Sequence, residues 1–138
     1  MLQKTSVFLC GLFVCGLFAL STSPALAVTL DISNLFPSRT FITRIDGVQW
    51  QDPDTQAPIA RNFYIEARSM ASLMPANFQN GQNTAFQLQV RNQSFDFGFD
   101  LHNQGSACQH FIYHKPAGSK MGLSLSSEGT TCTVTMSP

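Results

Sequence analysis

The sequence predicts an all-β fold, a small antiparallel β-sandwich or partly open barrel of about seven strands held by one disulfide. Three observations carry this expectation. Apolar residues recur at every second position in two long runs, and in each run the alternation keeps its phase across a tight turn. Helix signals are scarce. Once a leader is set aside, two cysteines remain, Cys108 and Cys132.

The leader comes first in the chain. MLQKTSVFLCGLFVCGLFALSTSPALA has a short basic start at Lys4, an apolar run over residues 7–20, and Ala25-Leu26-Ala27, a small-x-small pattern that suits signal peptidase. The apolar run is too short for a spanning helix, which needs roughly 20 residues. A signal peptide over residues 1–27 is therefore expected, followed by one domain over 28–138, with no stable membrane insertion after cleavage. Cys10 and Cys15 follow Leu9 and Val14 rather than the small residue of a lipobox, so they are expected to leave with the leader. A secreted or periplasmic location follows. In that setting Cys108 and Cys132 are expected to form a disulfide.

Composition narrows the function. Residues 28–138 carry seven basic and eight acidic side chains, whereas Asn, Gln, Ser and Thr make up 37 of those 111 residues. Bulk charge of this kind does not drive nucleic-acid binding, and no nucleic-acid partner is expected. Nine phenylalanines in the same segment supply core volume, so the chain is not a disordered one.

The elements follow in order. Val28-Thr29-Leu30-Asp31-Ile32 is a short alternating segment. Residues 40–50 place Phe41, Thr43 and Ile45 on one face, break at Asp46-Gly47, and resume with Val48 and Trp50. QDPDTQAPIA then reads as a surface loop. Residues 62–70 place Phe63, Ile65 and Ala67 opposite Tyr64, Glu66 and Arg68. SMASLM, before Pro75, reads as one helical turn, and Asn80-Gly81 as a turn. In residues 84–102, Phe86, Leu88 and Val90 precede Phe95, Phe97, Phe99 and Leu101. With Asn92-Gln93 as the loop, Val90 faces Phe95, Leu88 faces Phe97 and Phe86 faces Phe99. Residues 109–114 form another strand. In the last hairpin, with Glu128-Gly129 as the loop, Leu125 faces Cys132, Leu123 faces Val134 and Met121 faces Met136.

Catalytic signatures are missing. The chain has no G-x-S-x-G, H-E-x-x-H, C-x-x-C or P-loop motif. His110 and His114 have helical zinc spacing, but on a strand they stand roughly 13 Å apart, too far for one ion. His102 could meet one of them across strands, with Asp100 on its face. Asp96 and Asp100 are separated by the same distance, too wide for a glycosidase pair. Asp52 and Asp54 are close, in a turn. No catalytic residue, metal or cofactor is therefore assigned from the sequence.

Ligand-binding candidates are aromatic: Trp50, Tyr64, Phe111 and Tyr113. If Cys108 points inward, strict alternation leaves Phe111 and Tyr113 outside, unless a bulge after Cys108 resets the phase. Trp50 has the competing role of a core residue. Asn92-Gln93-Ser94 is a glycosylation sequon at a hairpin tip. The expectation is an exported, non-enzymatic binding module recognising a protein or a carbohydrate. Two other readings stand beside it: a small secreted hydrolase with loop-borne Asp and His groups, and an assembly subunit offering its last strand as a sheet edge.

Overall fold

A computed structural model describes residues 28–138. The expected signal peptide over 1–27 lies outside the described residues. Ten strands occur among the described residues: β1 (Thr29–Asn34), β2 (Thr40–Asp46), β3 (Trp50–Gln51), β4 (Phe63–Ile65), β5 (Ser69–Pro75), β6 (Gln82–Val90), β7 (Gln93–Leu101), β8 (Cys108–His114), β9 (Gly122–Glu128) and β10 (Thr131–Ser137). They form two five-stranded sheets, β3-β5-β1-β10-β9 and β4-β2-β6-β7-β8, packed as a sandwich. All pairings are antiparallel except β1 with β10. The chain crosses between the sheets at every step from β1 to β6, so the connecting segments as well as the shared core join the layers.

The core is the alternating set from the sequence. Phe86 and Leu88 of β6, Phe95, Phe97, Phe99 and Leu101 of β7, Leu30 and Ile32 of β1, and Val134 and Met136 of β10 are all buried. Phe86 stacks on Phe97 with ring centroids 4.9 Å apart, and Trp50 reaches Phe86 from the opposite sheet at 5.8 Å.

Both long hairpins keep the expected faces but not the expected partners. The first turns at Arg91-Asn92, so Phe86 opposes Phe97, Leu88 opposes Phe95 and Val90 opposes Gln93. The last turns at Gly129-Thr130, so Leu125 opposes Val134 and Leu123 opposes Met136. Each register lies two positions from the expected one, which leaves the same residues inside. The left-handed residue comes first in each turn, Arg91 at φ 56° and Gly129 at φ 58°.

Other expectations are corrected. SMASLM is strand β5, pairing β1 and β3, not a helical turn. Its neighbours supply backbone partners, and tertiary pairing overrides weak local propensity. In β2 a register shift between Ile42 and Arg44 resets the phase, so Thr40, Ile42 and Ile45 are buried and Phe41 is exposed. Gly47, at φ 91°, turns the chain where any Cβ would collide with the Asn83 carbonyl. The last strand is not an edge: β10 lies between β1 and β9, and β9 holds the edge.

Cys108 opens β8 and Cys132 lies in β10. Their disulfide, with Cα atoms 5.9 Å apart, ties one sheet to the other. A second cross-link is polar. Asn34 is fully buried; its Nδ2 donates to the carbonyls of Ser38, Ile65 and Glu66, and its Oδ1 accepts from the Phe36 N–H. It thereby joins the end of β1 to the end of β4.

Two substitutions test these ties. Replacing Cys108 and Cys132 together with alanine should cost roughly 3 kcal/mol, as expected for opening a loop of this length. Asn34→Ala leaves several buried backbone groups without their partner and should cost about 3 kcal/mol. Urea unfolding measures both, and a loss below about 1 kcal/mol would contradict either assignment.

Candidate functional site

The four aromatic candidates do not share a surface. Trp50 is 2 % exposed and belongs to the core. Phe111 and Tyr113 are partly buried against it, Phe111 near Phe97 and Tyr113 near Phe95. The turning-in of these two rings has a definite cause. The register between β7 and β8 shifts between Gly98 and Asp100, and His110 adopts φ 54°. A bulge therefore follows Cys108, and the alternation resets around it. Burial also pushes the Tyr113 phenol above its ordinary pKa, and its hydroxyl donates to the Met121 carbonyl at 3.3 Å.

Tyr64 is different. It lies on β4, an edge strand, and is 50 % exposed; beside it on β2 is Phe41, 47 % exposed. The rings meet edge to face, with centroids 6.3 Å apart. The Arg39 guanidinium sits 4.4 Å from the Tyr64 ring centroid. That guanidinium is itself clamped by Glu66, whose two carboxylate oxygens accept from Nε at 3.0 Å and Nη2 at 2.9 Å. The fork fixes Arg39, and Arg39 covers one side of Tyr64. Glu66, which has no evident partner in the sequence, thus has one 27 residues away. An open groove of about 340 Å³ runs past this pair, lined also by Ile42, Thr43, Asn62, Phe63 and Gln89. Apolar rings with amide side chains at the margin are the usual composition of a small-ligand surface. Phe41 reaches the surface through the β2 phase change, which the alternation of residues 40–45 does not signal.

A larger hollow of about 490 Å³ lies between the Asp46–Trp50 region and the loop over residues 52–61. Its loop is held by Asp52, whose Oδ1 accepts the N–H groups of Asp54 and Thr55 at 2.8 and 2.9 Å. Those backbone donors keep the Asp52 carboxyl below the usual carboxylate range. Asp52 is therefore committed to a turn rather than paired with Asp54 for catalysis.

The outer side of β7 and β8 brings together polar groups that the sequence leaves partly separate. Asp100 Oδ1 accepts from Asn83 Nδ2 at 3.0 Å, and its Oδ2 lies 3.0 Å from His110 Nδ1. The Asn83 amide holds the Asp100 carboxyl below its ordinary pKa against the opposing effect of burial, and His110 and His102 add smaller pulls in the same direction. One ligand atom each from Asp100, His102 and His110 lies within 4.8 Å of the others. His114 is outside this group.

No protein-family model matches the chain, and no curated protein matches it in sequence. The small disulfide-bonded all-β domain, with no helix among the described residues long and apolar enough to cross a membrane, is compatible with an extracellular location.

Tyr113 generates a pH prediction. Its folded-state pKa is raised above the ordinary 10.0, so the stability it contributes is fully present below pH 10 and lost as pH rises through the folded value. Denaturant melts across alkaline pH should show a fall above pH 10 that is smaller in Tyr113→Phe; identical profiles would contradict the assignment.

Proposed function

We propose that the domain is an exported, non-enzymatic binding module, secreted or periplasmic, that holds a carbohydrate against the Phe41–Tyr64 shelf. The carrying observation is the half-exposed aromatic pair set in an open groove, with Tyr64 held from one side by the Arg39–Glu66 fork. Aromatic rings carry large contact area at small conformational cost, and here the ring is fixed before any ligand arrives. Sugars present C–H faces to a ring and hydroxyls to amides, and Asn62 and Gln89 line the same groove as the two rings. A peptide partner would be expected to use a larger apolar area than this shallow groove offers. The low charge of residues 28–138 suits a neutral ligand.

A panel of neutral oligosaccharides, screened on an array and confirmed by calorimetric titration, tests this reading. Tyr64→Ala and Phe41→Ala should each weaken the best glycan roughly tenfold, about 1.4 kcal/mol, while lowering the melting temperature only modestly because both side chains are half exposed. No glycan bound, or affinity insensitive to both substitutions, overturns the proposal.

A further inference from the structure

A second site lies across the same sheet, away from the aromatic shelf, and its chemistry is different. By the two-residue period of β7, Asp100 and the following His102 project from the side opposite Phe99 and Leu101. Asp100 is paired with Asn83 of β6 on one side and with Gln109 of β8 on the other. At the bulge, His110 leaves the regular strand with φ 54°, and its ring comes to the carboxylate. Three donors from three points of the chain thus converge, all within 4.8 Å of one another.

We infer that Asp100, His102 and His110 form a binding site for a divalent transition-metal ion of the zinc class. Two imidazoles and one carboxylate are the donor set that zinc and its neighbours prefer, whereas calcium and magnesium require oxygen donors. Ligand atoms around a tetrahedral zinc stand roughly 3.4 Å apart, given bonds of about 2.1 Å. The three ligand atoms already lie within 4.8 Å of one another, and the 74 % exposure of the His110 side chain leaves room for the rotation that would close the spread. Asp100 is already oriented: Asn83 holds Oδ1, leaving Oδ2 on His110 Nδ1, and Asn83 stands as an outer-shell partner would. His102 has capacity to spare, since its Nε2 is buried and finds no hydrogen-bond partner among the described residues. A buried ring nitrogen without a partner is unfavourable, and an ion satisfies it when the ring supplies that atom. Three protein ligands leave at least one coordination position open to water or to a donor from a binding partner.

Calorimetric titration of the purified protein with zinc sulfate tests the site, with cobalt chloride as a spectroscopic reporter and calcium chloride as a control. The expected result is one equivalent of zinc bound, visible absorption from four- or five-coordinate cobalt, and no response to calcium. His102→Ala, Asp100→Asn and His110→Asn should each lower zinc affinity at least tenfold; asparagine tolerates the left-handed backbone at position 110, so the last variant keeps the bulge. Asn83→Ala should weaken binding by a factor of 10 to 100, as outer-shell losses do, whereas His114→Ala should change nothing. Absence of zinc heat and of a cobalt spectrum in the unmodified protein overturns the inference. So does zinc affinity that survives His110→Asn in a protein with an unaltered melting temperature.

Discussion

The structure depends on burying one aromatic face of the β6–β7 ribbon. Phe86, Phe95, Phe97 and Phe99 lie on that face, and they are covered by Leu30, Ile32, Val134 and Met136 from the other sheet and by Trp50. Each such ring removes a large apolar area from water, worth roughly 2–3 kcal/mol. A strand has only two faces, so fixing which residues are inside fixes which are outside. Asn83, Gln87, Asp96 and Asp100 face solvent because their neighbours do not, and they hydrogen-bond in pairs across the ribbon, Asn83 with Asp100 and Gln87 with Asp96. The polar site is in this sense a product of the core.

The same parity explains what was legible in the sequence. Sliding a hairpin by two residues leaves every side chain on its own face, so the alternation of Phe95, Phe97 and Phe99 reveals the burial and cannot distinguish one even register from another. Turn chemistry has to decide, and here it is weak: Arg91 occupies a left-handed position that residue preference would give to asparagine or glycine. Non-local pairing left still less trace. Residues 69–74 carry no strong strand pattern, since β5 gains its place by pairing with β1 and β3, and β1 lies parallel to a strand about a hundred residues further on. The disulfide was legible from the cysteine count of residues 28–138, because Cys108 and Cys132 are the two cysteines there and permit one intramolecular pairing.

The sites were legible to unequal degrees. Asp100 and His102 fall on one face by simple counting. Tyr64 was visible as an outward aromatic, but its partners were not: Arg39 and Glu66 are 27 residues apart, and Phe41 reaches the surface only through the irregularity of β2. Trp50 shows the opposite case. As the chain's single tryptophan it could have served a ligand or the core, and its contact with Phe86 assigns it to the core.

The bulge at His110 connects these observations. Without it, inward Cys108 would carry His110, Ile112 and His114 inward and leave Phe111 and Tyr113 in water, an arrangement that wastes two rings. With it, the rings turn in and the histidine turns out toward Asp100. A left-handed backbone costs a side-chain-bearing residue roughly 1–2 kcal/mol, and glycine would incur almost none of it. The exposed pair with Asp100 returns at most about 1 kcal/mol. Packing therefore accounts for the bulge, but it does not account for an imidazole at its apex. At that apex the imidazole meets Asp100, a carboxylate that the Asn83 amide already holds in place.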